Sequence, residues 1–202
     1  MRDRIPTKFF LLIAALGTLA WASCSQDYSP RGKGYPYLEV PEEHSYQRFQ
    51  DGNCPFSFEY NTIARVQRDS QLIRNEPESD CWLNIVYPDY DATIYLSYKT
   101  PEEDYNLLKL RNEAHKLTYE HAKRADFIEP QLITAANQVY GLVYNVGGAA
   151  ASPTQFFVTD TVRHWLRGAL YFKTSPNPDS LEPLIRYIDE DIAHLIRSIV
   201  WE

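Results

Sequence analysis

The alternation of apolar and polar side chains predicts β-strands along most of the chain. Where every second residue is apolar, successive side chains point to opposite faces of a sheet. The clearest hairpin joins residues 81–87 to 92–98, because the intervening Pro-Asp-Tyr-Asp sequence favours a turn. Further strands are predicted at residues 56–60, 64–68, 127–134, 139–146, 154–159 and 163–173. Short connections between consecutive strands indicate a mainly antiparallel sheet of about six to eight strands.

Two stretches instead follow the helical period of 3.6 residues. The first begins at Pro101 and reaches about Arg124, with apolar positions at Leu107, Leu110, Ala114 and Leu117. The second, residues 181–199, carries an unbroken apolar stripe, and either Asp179 or Ser180 is predicted to cap its start. Two amphipathic helices must cover part of the sheet, so the predicted fold class is α+β. The order of strands, helix, strands and helix is similar to the Mog1/PsbP-type sandwich.

The N-terminus has the pattern of a lipoprotein signal peptide. Three basic residues precede an uncharged apolar run at 9–22, which is shorter than the roughly 20 residues of a membrane-spanning helix. Ala22 and Ser23 then precede Cys24, whose thiol can accept a diacylglycerol. We therefore predict a signal peptide at 1–23, with cleavage before a lipidated Cys24. The alternatives are an ordinary secretory signal with a chance cysteine, and a retained anchor helix.

The segment that follows the signal peptide reads as a spacer. Residues 24–43 contain turn-forming residues without an apolar period, so we predict a lipidated N-terminus and flexible tether, followed by a single domain at 44–202. Ser25 favours sorting to the outer membrane, and residues 25–28 carry no clear surface-export signal. We therefore expect a domain that faces the periplasm.

Charge and cysteine content narrow the possible partners. The chain of 202 residues has a formal net charge of −7, which disfavours nucleic-acid binding and anchoring through a basic surface. With Cys24 lipidated, Cys54 and Cys81 remain, and in an oxidising compartment they either form a disulfide or stay as two buried thiols. A bridge would stabilise the fold by about 3 kcal/mol on the chain-entropy model. The scattered histidines and the absence of ligand-spacing motifs predict no metal and no cofactor.

One predicted strand carries a candidate recognition surface. Alternation places Arg163, Trp165, Arg167 and Tyr171 on one face, where two arginines about 7 Å apart could grip anionic groups and the aromatic rings could stack on a ligand. The alternative is structural: both arginines pair with acids on neighbouring strands, and Trp165 lies under a helix.

Catalysis is not expected. Asp160 and His164, with Ser152 or Thr154, supply the residue types of a catalytic triad. However, no Gly-x-Ser-x-Gly motif occurs, and alternation directs His164 into the core. An undetected hydrolase therefore stays a minor alternative.

Several long strings resemble the gliding-motility lipoprotein family GldD of Bacteroidetes. They are residues 34–42 (GYPYLEVPE), 54–60 (CPFSFEY), 81–88 (CWLNIVYP), 94–99 (IYLSYK), 139–145 (VYGLVYN), 155–160 (QFFVTD), 163–172 (RHWLRGALYF) and 191–196 (DIAHLI). The resemblance implies a lipid-anchored cell-envelope protein that is required for gliding and linked to type IX secretion. It implies no catalytic residue, and only Cys24 carries over with a defined role.

Two functions are compatible with these features. The first is a non-enzymatic accessory or assembly factor that contacts other gliding or secretion proteins. The second is a periplasmic module that binds an envelope glycan, either peptidoglycan or lipopolysaccharide. Both would use the same cationic and aromatic strand face.

Overall fold

The computed structural model describes residues 39–69, 81–102, 106–173 and 178–202. In these ranges the chain forms ten β-strands and two α-helices. The strands are β1 (Tyr46–Gln50), β2 (Phe56–Asn61), β3 (Arg65–Arg68), β4 (Trp82–Tyr87), β5 (Ala92–Lys99), β6 (Ala125–Ala135), β7 (Val139–Gly148), β8 (Thr154–Thr159), β9 (Trp165–Phe172) and β10 (Val200–Trp201). The helices are α1 (Leu107–Tyr119) and α2 (Pro178–Ser198). The predicted signal peptide, Cys24 and most of the predicted tether lie outside the described residues.

The strands form two antiparallel sheets. Seven of them lie in the order β3-β4-β5-β9-β8-β7-β6, and every neighbouring pair is antiparallel. The other three form a small sheet in the order β1-β2-β10. The predicted α+β class, with a mainly antiparallel sheet and two helices, is confirmed.

Helix α2 and strand β2 pack on one face of the large sheet. The apolar stripe of α2 is buried there against strands β4, β5, β8 and β9, as the helical period predicts. Leu184, Ile188, Ile192 and Leu195 are all almost completely inaccessible to solvent. Because each buried aliphatic side chain contributes roughly 1.5–3 kcal/mol, this interface is the main core of the domain.

Helix α1 covers part of the opposite face, and its bounds differ from those predicted. Asn106 caps the helix by accepting a hydrogen bond from the Lys109 N–H, so the helix begins at Leu107 and not at Pro101. Leu117 was predicted to be buried but is 44% exposed. Thr118 occupies the buried position instead, because its hydroxyl donates to the Ala114 carbonyl at 2.9 Å and to Gln155 Oε1 at 3.2 Å.

Cys54 and Cys81 form a disulfide, with Cα atoms 5.5 Å apart. Cys54 precedes β2 of the small sheet, and Cys81 precedes β4 of the large sheet. The bond therefore links the two sheets covalently.

Candidate functional site

The four residues of the predicted recognition surface do not form an open surface. Trp165 is only 3% exposed and lies in the core beneath α1, where its ring stacks on Phe157 at a centroid distance of 4.4 Å. The alternation pattern grouped Trp165, Arg167 and Tyr171 on one face correctly, but α1 covers the part of that face that carries Trp165 and Arg167. An aromatic platform for a sugar is therefore not available at Trp165.

Arg167 is a structural contact beneath the same helix. Its guanidinium donates to Gln155 Oε1 on the neighbouring strand at 2.7 Å, and Thr118 donates to the same oxygen. Burial lowers the pKa of Arg167 below its ordinary value. The acceptor is an amide, whereas the structural alternative expected a carboxylate on a neighbouring strand. Tyr171, farther along β9, is half-buried and packs edge-on against Tyr95.

Arg163 lies apart from the other three, in the turn before β9. It is exposed at the rim of a small pocket of about 230 Å³, which also contains Asp160, His164 and Trp201. Burial would raise the pKa of Asp160, but its carboxylate accepts hydrogen bonds from three successive backbone N–H groups, and these lower the pKa below its ordinary value. The Asp160 carboxylate therefore orders the turn that presents Arg163.

The residue types of a hydrolase are present but are not assembled. His164 is buried; its Nδ1 lies 2.9 Å from the Tyr98 hydroxyl, and burial lowers the pKa of the imidazole. Ser152 lies near the start of β8, whereas Asp160 follows the end of that strand. Thr154 donates its hydroxyl to Asp189 at 2.6 Å. Among the described residues, no hydroxyl, imidazole and carboxylate form the hydrogen-bonded series that nucleophilic catalysis uses.

A buried carboxylate joins the two sheets to α2. Asp191 accepts hydrogen bonds from Asn61 Nδ2 at 3.0 Å and from the Tyr87 hydroxyl at 2.9 Å, and its Oδ1 lies 2.7 Å from His44 Nδ1. Burial, and then the Asp191 charge, raise the pKa of Tyr46 to about 12 and that of Tyr87 still further, so both tyrosines stay protonated. The local sequence gives little sign of this cluster, because its members come from β1, β2, β4, α2 and the chain before β1. The donors satisfy the buried charge, and the arrangement is one of structural support.

A groove of about 420 Å³ runs between β6 and α2. Ile133 and Val143 of the sheet and Ile192 and Ile196 of α2 supply much of its apolar lining. Asp189 lies at one end, where burial raises its pKa to about 6 although Thr154 donates a hydrogen bond to it.

The large apolar side chain with the highest exposed fraction in the described part of the chain belongs to β6, an outer strand of the large sheet. Leu132 is 89% exposed there. It lies opposite Leu142 in β7, and Thr134 lies opposite the partly exposed Tyr140. The β6–β7 hairpin therefore presents an apolar surface, defined by the exposed Leu132 and Tyr140 and by Leu142, which is half-buried because it also packs against the core beneath α1. No local pattern in the sequence predicts this surface.

The described residues contain no group of three or more histidine, cysteine or acidic side chains that could hold a metal ion. None of their helices combines the length and apolar character needed to cross a membrane.

Comparisons with known proteins agree with the sequence resemblance. A family model described as gliding motility lipoprotein GldD matches residues 25–201. No curated protein sequence matches the chain. Among solved structures, cyanobacterial PsbP (CyanoP) from Synechocystis sp. PCC 6803 is similar, with a TM-score of 0.47 and 11% sequence identity. That alignment covers 83% of this chain and 100% of the PsbP chain.

Proposed function

Because this chain belongs to the family of the gliding motility lipoprotein GldD, we propose that it is a non-enzymatic accessory or assembly factor. It acts in gliding motility, type IX protein secretion or both, through contacts with other envelope proteins. The sequence resemblance to the family is confirmed, whereas this molecular role is our inference.

The role in protein contacts is supported by one observation: Leu132 and Tyr140 of the β6–β7 hairpin are exposed beside the half-buried Leu142. The ionisable and aromatic side chains that suggested chemistry or glycan binding mostly stabilise the fold, as Trp165, Arg167 and His164 do. Exposed apolar side chains grouped within a polar surface are instead found at protein interfaces.

Anchoring is the second part of the proposed function. We propose that signal peptidase removes residues 1–23 and that lipid on Cys24 holds the mature chain at the outer membrane, with the domain in the periplasm. Two or more acyl chains bind a bilayer stably, since each buried methylene contributes about 0.8 kcal/mol. Residues 24–43 would then act as the tether between lipid and domain.

The anchor is tested by a Cys24→Ala substitution in cells. We expect Cys24→Ala to abolish incorporation of labelled palmitate, to release the protein from the membrane fraction and to stop gliding. Ser29→Ala, which changes the tether at a position with no proposed role, is the matched control. Normal membrane attachment of the Cys24→Ala protein would contradict the anchoring mechanism.

The protein-contact role is tested by photo-crosslinking in cells that lack the natural gene. A crosslinking amino acid at position 132 is expected to join the protein to another envelope protein when gliding and secretion are restored. The same amino acid at Glu182, on an exposed position of α2, is the control. Full restoration of gliding and secretion without any crosslink at position 132 would contradict a contact at the hairpin.

A further inference from the structure

The outer edge of β6 has backbone groups that point away from the sheet. The Val146 N–H of β7 donates to the Pro153 carbonyl, on the side of β8, at 2.7 Å. In an antiparallel sheet, successive residues direct their N–H and C=O groups to alternate sides. Tyr144 and Leu142 therefore also point toward β8, and their partners in β6, Pro130 and Leu132, point away from β7.

The same alternation identifies the outward-pointing backbone groups along the whole free edge of β6. Ile128, Leu132 and Thr134 each direct one N–H and one C=O outward, while Pro130 directs only a C=O because proline has no N–H. No described strand lies beyond β6 in the sheet. A set of outward donors and acceptors at strand spacing is matched by another extended polypeptide.

The side chains around this edge differ between its two halves. The C-terminal half, Gln131 to Ala135, contains no charged residue, and charge is one of the usual means of protecting an exposed edge. The N-terminal half contains Pro130 and the exposed Glu129, which forms no ion pair with the described residues. Glu129 and Leu132, three positions apart, lie on opposite faces of the strand.

We propose that β6 accepts an extended segment of a partner protein as an additional strand, paired through the backbone of Leu132 and Thr134. The segment places an apolar side chain beside Leu132 and a lysine or arginine beside Glu129. The recognition motif of the segment is thus an apolar residue and a basic residue three positions apart in sequence, with two residues between them. A basic segment also complements the net charge of −7. This inference rests on the proposed function, because it names the chemistry of the partner at the hairpin.

The test uses the purified full-length protein and a phage-displayed library of random linear peptides. We expect enrichment of peptides with the apolar and basic residues at the stated spacing. With Glu129→Lys as the bait, we expect an acidic residue to replace the basic one. Failure to enrich any peptide, or enrichment without this spacing, would overturn strand addition at β6.

Backbone pairing is separated from side-chain contact by two variants at one position. Leu132→Pro removes an outward N–H without removing a bond to β7, and Leu132→Ala removes only the side chain. For a synthetic copy of the best library peptide, fluorescence anisotropy should show about tenfold weaker binding to Leu132→Pro than to Leu132→Ala. Glu129→Gln should weaken binding about two- to fivefold. A version of the peptide methylated on alternate backbone nitrogens should not bind the natural protein, and this result does not depend on how any variant folds.

Three other outcomes would show that the contact at β6 is not backbone pairing or that the edge has a different occupant. Equal binding of the methylated and unmethylated peptides would show that the contact is not backbone pairing. A dimer in sedimentation analysis that Leu132→Pro dissociates would identify a second copy as the occupant. Slow hydrogen exchange at the Leu132 and Thr134 amides of the free monomer would show that another segment of the same chain already occupies the β6 edge. Each outcome leaves the cellular crosslinking test intact, so the accessory role can survive the loss of strand addition.

Discussion

Replacement of Asp189 by asparagine is expected to stabilise the protein at neutral pH. Burial raises the pKa of this carboxyl from 3.8 to about 6, while the hydrogen bond from the Thr154 hydroxyl at 2.6 Å opposes part of the shift. Asparagine has the same size and can accept the same hydrogen bond through its amide oxygen. It carries no charge, so the energetic penalty of burying an ionised group disappears.

The pH window follows from the direction of the shift. The folded protein holds the Asp189 proton more tightly than the unfolded chain does, so between about pH 4 and pH 6 only the folded state binds it. The stability due to this group therefore falls as the pH rises through that window and stays low above it. A rise in the Asp189 pKa from 3.8 to about 6 corresponds to at most about 3 kcal/mol. Because the carboxyl keeps some contact with water, we expect Asp189→Asn to gain about 1–2 kcal/mol near neutral pH.

Urea unfolding at about pH 4 and about pH 7.5 measures this difference, since other titrating groups cancel between the two proteins. At the lower pH, Asp189→Asn and the natural protein should have the same free energy of unfolding. At the higher pH, the free energy of unfolding of Asp189→Asn should be the larger. Glu129→Gln removes the same charge at an exposed position and is the control. A stability change that is equal at both pH values, or a loss of stability near neutral pH, would refute the assigned cost of burial.

Three further predictions concern how contacts in the interior stabilise the fold. Tyr87→Phe removes one donor to the buried Asp191 carboxylate and should lower the free energy of unfolding by about 1.5–3 kcal/mol, whereas Tyr95→Phe at an exposed position should change it little. Thiol titration of the unfolded mature protein should detect Cys54 and Cys81 only after reduction, and reduction should lower the free energy of unfolding by about 3 kcal/mol. A β-carbon at position 168 would overlap the Phe156 ring, so Gly168→Ala should destabilise the fold by about 1–3 kcal/mol, while Gly52→Ala, where the space is open, should not; thermal unfolding compares the two.

Local patterns predicted the elements whose side chains follow one clear period. The hairpin of β4 and β5 and the apolar stripe of α2 were recognised because burial repeats every second residue in the strands and every third or fourth in the helix. The predicted sequence of strands omitted β1 and β10. Strand β1 places two polar residues between its aromatic positions, and β10 has only two residues, so neither shows a sustained alternation.

The candidate site was harder to predict because it depends on which elements cover which faces. Alternation grouped Trp165 and Arg167 correctly but could not show that α1 packs over them. Thr118 replaced Leu117 in the core because Gln155, distant in sequence, accepts its hydrogen bond. The β6 edge is exposed because β6 is the last strand in the order of the large sheet. Strand order depends on pairing between residues that are distant in sequence, so the periodicity within one segment cannot predict it.

The two outer strands of the large sheet have different consequences for self-association. Strand β3 has four residues and carries exposed arginines at both ends, whereas β6 has eleven residues and Pro130 interrupts its outward N–H groups. Copies concentrated on a membrane surface would meet edge to edge, and indefinite polymers form when two long, uncharged edges match. The short basic edge and the proline oppose growth of a continuous ladder. The sheet can therefore receive one short strand without seeding a fibril.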